Sequence, residues 1–152
     1  MNNLLLYIII FIISSSEIIL NVSSNNVHEI CFSIILFLFF RIHYNNRDNQ
    51  LFIIPFLFYL VNDIYFNEKF GIKSFAIIIA IIYIKYNFNL YHTIHQAFDM
   101  KDCLNFITIF IIVKDLMSLL LNIPIAIEFS LLNILYFMIF AYFYNKIWIK
   151  IN

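Results

Sequence analysis

The sequence predicts an all-α fold, a polytopic transmembrane bundle of about six short helices forming one integral membrane domain over residues 1–152. The first observation is composition: 64% of the residues are hydrophobic and 12% are charged, whereas a soluble domain carries about 25% charged residues. The second is that long apolar runs alternate with brief polar connections. The third is that one glycine and two prolines leave no flexible linker for a second domain.

Six apolar runs define the predicted spans. A hydrocarbon core of about 30 Å takes about 20 helical residues, and several of these runs are shorter than that, so we expect them to tilt little or to cross only partly. They are hydrophobic on all sides, as lipid-facing or buried helices are. The runs are Leu4–Leu20, Val27–Ile42, Leu51–Phe66, Ser74–Phe88, Leu104–Leu121 and Glu128–Ile149.

The runs differ in how well they fit a span. The first is interrupted by the polar segment 14–17, and because no basic residue precedes it and no small-residue cleavage site follows it, we expect a retained span and not a signal peptide. The second is the weakest candidate, and the third carries Pro55 near its start. Cys31 and Cys103 lie in separate runs without metal-binding spacing, which predicts two small buried side chains.

Basic residues in the connections predict the orientation, because cytoplasmic loops are enriched in lysine and arginine. With both termini in the cytoplasm, six basic residues lie inside and two outside. Tyr142, Tyr144 and Trp148 would then form an aromatic belt at the inner surface. The inner residues are Arg41, Arg47, Lys85, Lys101, Lys146 and Lys150, and the outer ones are Lys69 and Lys73.

Asp63 is the first candidate functional residue, because it lies at the end of an apolar run, eight residues before the only glycine, Gly71. An ionisable group at membrane depth is usually paired, hydrated or functional. Two interpretations stay open: a solvated turn residue near Lys69 or Lys73, or a group facing the bundle interior or a partner helix. Asn62 adds hydrogen-bonding capacity to either.

Lys114 and Asp115 are the second candidate, in the middle of the fifth run. Consecutive helical residues point about 100° apart, so we expect these two not to pair well with each other and one or both to face other helices. An interhelical Asp63–Lys114 pair is therefore predicted.

Other polar residues have simpler interpretations. Glu17 and Glu128 flank the outer ends of the first and sixth runs, where they are expected to be solvated. His92, His95 and Asp99 are spaced as on one helical face, which permits a metal site but fits an interfacial amphipathic helix or a docking surface better. No phosphate loop, zinc-protease helix or nucleophile elbow is present, so we predict no enzyme, no metal and no cofactor. No basic tract is present either, so we predict no nucleic-acid partner.

The third and fourth runs resemble the signature of the MreD family of rod shape-determining membrane proteins. Members carry an apolar helix ending in Gly-x-x-x-Asp, a short loop, a glycine eight residues after the aspartate, and another apolar helix. Asp63 and Gly71 match that aspartate and glycine, Tyr59 replaces the first glycine, and Asp115 matches an acidic residue common in the fifth span. The specific part covers residues 51–84, while length and order of spans agree over most of the chain.

The resemblance implies a non-enzymatic component of the bacterial elongation machinery in the cytoplasmic membrane. Such a protein contacts MreC and thereby links wall-synthesis enzymes to cytoplasmic MreB. Asp63 and Gly71 would then shape a helix pair or pocket that fixes the geometry of partner binding.

Two alternatives remain. A substrate-binding subunit of an energy-coupling-factor vitamin transporter would use a polar pocket, which Asn62, Asp63, Lys114 and Asp115 could line, but the first run lacks the small-residue stripe usual in such subunits. A respiratory-complex subunit encoded in an organelle would need a proton relay of Glu and Lys in adjacent helices, and only Lys114 is central.

Overall fold

The computed structural model describes residues 3–20, 25–45, 53–65, 71–87, 99–125 and 127–151. These residues form six α-helices, with no strand among them, so the all-α prediction is confirmed and each apolar run corresponds to one helix. The helices are α1 Asn3–Leu20, α2 Asn25–Asn45, α3 Ile53–Tyr65, α4 Ile72–Asn87, α5 Met100–Leu120 and α6 Ile127–Ile151.

Helix α2, the weakest predicted span, is the centre of the bundle. It packs against α1, α4 and α6. Its phenylalanines also contact α3, where Phe39 meets the ring of Phe58 edge-on, and α5, where the rings of Phe40 and Phe106 are tilted against each other. Residues 35–43 of α2 are all buried. Ser33 and Arg41 are therefore buried polar residues at the centre of the bundle.

The ends of the helices follow from local chemistry. Pro55 occupies the first turn of α3, where its missing N–H costs no hydrogen bond. Helix α5 begins at Met100, earlier than predicted, because the Asp99 side chain caps it by accepting a hydrogen bond from the Lys101 amide at 3.0 Å. It ends where Asn122 takes a left-handed φ of 55°, shortly before Pro124.

Helices α5 and α6 run in opposite directions, whereas α2 and α6 run in the same direction, since Ser33 contacts Asn133 and Arg41 contacts Tyr144. Near one end of the α5–α6 pair Lys114 contacts Ser130, and near the other Asn145 contacts Met100, so the two helices are antiparallel. Helix α4 packs between α3 and α5. The end of the bundle that holds the C-terminal ends of α3 and α5 is called the Asp63 end below.

One helix within the described ranges, Met100–Leu120, is long and apolar enough to cross a membrane by itself, with a mean hydropathy of 1.9. Other apolar helical stretches, Leu4–Ser16, Ile30–Tyr44 and Ile53–Ile64, are shorter. The six helices are thus confirmed as helices, while the crossing of a bilayer by all of them stays a prediction.

Candidate functional site

Asp63 and Gly71 contact each other directly. The Gly71 amide donates to Oδ2 of Asp63 at 3.0 Å, and the Asp63 side chain is completely buried. Gly71 has a φ of +90°, a conformation that favours glycine, and its carbonyl accepts the first-turn hydrogen bond of α4 from the Phe75 amide at 2.9 Å. The aspartate therefore joins the end of α3 to the start of α4, and the interpretation as a solvated turn residue is wrong.

Asn62 and Lys73 extend this contact between α3 and α4. The Lys73 ammonium donates to Oδ1 of Asn62 at 3.4 Å and lies 5.2 Å from the centre of the Phe32 ring, a cation–π arrangement with α2. Lys73 is only 6% exposed. Lys73 was predicted to lie in an outer loop, whereas it belongs to α4. Lys69 lies outside the described residues.

Lys114 and Asp115 form a charged pair bridged by a serine of α6, and these three residues are named the α5–α6 polar cluster. The ammonium of Lys114 lies 3.4 Å from Oδ1 of Asp115 and donates to Ser130 Oγ at 3.3 Å. The Ser130 hydroxyl donates in turn to Oδ2 of Asp115 at 3.1 Å. This hydroxyl therefore bridges the two opposite charges.

Two expectations about Lys114 are wrong. Adjacent helical residues were expected not to pair, but the lysine side chain is long enough to fold over to the neighbouring carboxylate, and Ser130 holds it there. The interhelical Asp63–Lys114 pair is replaced by this cluster, since within the described residues Lys114 contacts Asp115 and Ser130, whereas Asp63 binds the Gly71 amide.

A further pair at this end joins α2 to α6. The Ser33 hydroxyl donates to Oδ1 of Asn133 at 2.8 Å, and both side chains are buried. Ser33, Ser130 and Asn133 were not predicted as site residues from the sequence, and Lys73 was predicted only as a loop residue near Asp63. The available signal was a lone polar residue within or beside an apolar run, which at membrane depth is expected to find a partner.

The opposite end of the bundle holds a second set of buried polar contacts. Nε of Arg41 donates to the Tyr144 hydroxyl at 3.1 Å, and the guanidinium carbon lies 5.4 Å from the centre of the same ring. The Tyr44 hydroxyl donates to Oδ2 of Asp102 at 3.0 Å. Arg41 and Tyr144, predicted as orientation signals, therefore also connect α2 to α6.

The remaining candidates do not add to the site. Asp99 caps α5, whereas His92 and His95 lie outside the described residues, as does the side chain of Glu17. Glu128 is exposed in the first turn of α6. Among the described residues no group of three His, Cys, Asp or Glu side chains is arranged to hold a metal ion. Neither Cys31 nor Cys103 is in a disulfide; Cys103 is buried as predicted, whereas Cys31 is half-buried.

A comparison of the chain with family models, with curated proteins and with solved structures gave no match.

Proposed function

We propose that the chain is an integral membrane protein whose six helices lie in a bilayer. The distribution of side chains supports this proposal. Large apolar side chains are exposed on all five helices around α2, among them Phe11 at 71%, Leu120 at 70% and Ile127 at 67%. Arg41 and Asp63 are buried instead. An apolar perimeter, with charged side chains kept inside a largely apolar core, is favourable in lipid and costly in water.

Membrane placement is tested by extracting native membranes with alkaline carbonate. We expect the chain to stay in the pellet and to enter solution only with detergent. Release by carbonate alone would contradict the proposal. Reporter fusions at both termini test the orientation with both ends in the cytoplasm of a bacterial cell, for which the excess of basic residues on that side is the support.

Within the membrane, the proposed role is that of a non-enzymatic, MreD-like component of the cell-shape machinery. It would bind an MreC-like membrane protein and, indirectly, MreB and the wall-synthesis enzymes. The observation that carries this proposal is the contact between Asp63 and the Gly71 amide, because these are the two residues on which the resemblance rests. A buried aspartate that fixes the α3–α4 connection would determine, from inside the bundle, how the surface that binds the partner is arranged.

Co-purification from native bacterial membranes in mild detergent, followed by mass spectrometry, tests this role. We expect recovery of an MreC-like protein and its loss with Asp63→Asn. Glu128→Gln is the matched control, since it neutralises an exposed carboxylate and should retain the partner. Gel filtration of each variant separates loss of the partner from loss of the fold.

A vitamin-transporter subunit is the second candidate. The observation that favours it is the gathering of charged and polar groups at the Asp63 end, namely the Asn62–Lys73 contact and the α5–α6 polar cluster. The same purification distinguishes the two roles. Recovery of an ATPase-containing module in place of an MreC-like protein would transfer the assignment to the transporter.

A further inference from the structure

The α5–α6 polar cluster opens onto the outside of the bundle. The side chains of Lys114 and Asp115 are 19% and 23% exposed. Ile112 and Leu119, three residues before and four after Asp115, share its side of the helix and are 59% and 60% exposed. Asp115 therefore lies at the edge of the face that α5 turns away from the bundle.

The depth of this cluster restricts what can cover it. Helix α5 has 21 residues, a length of about 30 Å that matches the hydrocarbon core. Asp115 lies five residues before Leu120, about 8 Å from the helix end. If α5 spans a bilayer, as proposed above, a partly exposed ion pair lies within hydrocarbon, where its desolvation is costly. Lipid headgroups stay at the interface, whereas a covering protein with polar atoms at this depth would remove the remaining exposure of both charges to hydrocarbon.

We propose that a second copy of the chain covers this face and forms a two-fold symmetric dimer through α5 and α6. Copies inserted with the same topology hold equivalent residues at the same depth, and a symmetric interface brings such residues together. Lys114 and Asp115 differ by one residue, about 1.5 Å of helical rise. The Lys114 ammonium of each copy then meets the Asp115 carboxylate of the other, so a surface bearing both charges at one depth is complementary to itself.

The surroundings of the cluster supply the apolar part of such an interface. Leu116 on α5 and Leu131 on α6 are 55% and 61% exposed. From Leu131 a shallow apolar groove of about 560 Å³ continues along α6 to Phe143. Side chains of one helix pack into grooves of this kind on another, and the groove extends the contact beyond the charges.

A charge-exchange experiment tests the dimer in native membranes. Two differently tagged copies are co-expressed, and the fraction of one that is captured with the other is measured. We expect wild-type copies to capture each other. Lys114→Asp paired with itself, or Asp115→Lys with itself, should reduce capture at least about tenfold, because like charges then face each other. Co-expression of Lys114→Asp with Asp115→Lys should restore capture.

The control for charge exchange is Lys101→Asp, an equal charge change at an exposed position near the other end of α5, which should leave capture unchanged. Capture that persists in the like-charged pairs, or that is not restored in the mixed pair, overturns the proposal when each variant elutes as a folded species.

Cross-linking tests the same interface in a chain that keeps Lys114 and Asp115. It therefore gives a result even if the charge variants do not fold. In a background of Cys31→Ser and Cys103→Ala, Leu116→Cys is compared with Val61→Cys. Both positions lie four residues before the end of their helix and are exposed to 55% and 59%. We expect a short bis-maleimide to join Leu116→Cys into a dimer and to leave Val61→Cys monomeric.

A monomer at Leu116→Cys, or a cross-linked species with the mass of a different partner, overturns the dimer. The same native membranes are also extracted with alkaline carbonate. If no dimer forms but the chain stays in the pellet, the dimer proposal fails while the membrane assignment holds.

Discussion

Asp63 and Asp115 lie near the C-terminal ends of α3 and α5, at the same end of the bundle, yet their surroundings differ. Asp63 is completely buried and accepts a hydrogen bond from a main-chain amide in the connection to the next helix. Asp115 is about one quarter exposed and contacts two side chains, those of Lys114 and Ser130. Asp63 therefore fixes the main chain between two helices, whereas Asp115 belongs to a cluster that reaches the surface.

This difference limits the role that each residue can have. The main-chain amide that Asp63 binds is a peptide group that no ordinary substitution removes, so changes at Asp63 leave this part-buried amide without that acceptor. The partners of Asp115 are side chains, and an ion pair tolerates loss of both members better than loss of one. Asp63 therefore acts from inside on the geometry of α3 and α4, whereas Asp115 is placed for contact with another molecule.

The largest expected effect is that of Asp63→Leu. We expect it to lower the free energy of unfolding by about 2–3 kcal/mol, because the Gly71 amide loses a charged acceptor in a buried site. Asp63→Asn keeps an oxygen at the same place and should cost about 1 kcal/mol. Unfolding by SDS titration in mixed micelles measures both. Equal losses in the two variants would show that the charge matters more than the hydrogen bond to Gly71.

Gly71→Ala tests the other half of this contact. A Cβ at Gly71 would meet no atom within 4 Å, so the cost comes from the φ of +90° alone. We expect a loss of about 1–2 kcal/mol in the same titration. Gly71→Asn should cost less than the alanine, since asparagine tolerates positive φ better. If Gly71→Ala leaves the free energy of unfolding unchanged, the α3–α4 connection does not require a positive φ at this residue.

The general architecture could be predicted from the sequence because apolar runs report helices directly. All six runs are helices, and Asp63 and Gly71 were identified from their position around a connection. The central place of α2 could not be predicted, because hydropathy treats a polar residue as a defect in a span and does not reveal that Ser33 and Arg41 find partners on α6.

The pairing of Lys114 was predicted wrongly for a similar reason. A helical wheel gives the direction in which a Cα–Cβ bond points, but a lysine has four further bonds that carry its ammonium elsewhere. The position of Ser130 opposite Asp115 is a property of how α5 packs on α6. Tertiary contacts of this kind decide which of two plausible pairs forms.

Asp115→Asn tests the α5–α6 polar cluster through its response to a second substitution. We expect it to lower the free energy of unfolding by about 1 kcal/mol, because Lys114 is left without its charged partner. The double variant Lys114→Gln with Asp115→Asn should return to within about 0.5 kcal/mol of the wild type. If the double variant is less stable than Asp115→Asn, the cluster is part of the core and its assignment to a contact surface fails.

The smallest effect concerns the Ser33–Asn133 hydrogen bond, which is buried like Asp63 but joins two side chains like Asp115. A double-mutant cycle with Ser33→Ala and Asn133→Leu should give a coupling energy of about 0.6 kcal/mol, the average for neutral hydrogen bonds between membrane helices. If this coupling energy is as large as the stability lost in Asp63→Leu, burial alone sets the strength of the two contacts. If it is much smaller, the greater strength of the Asp63 contact comes from the charge of Asp63 and from the main-chain amide that it binds.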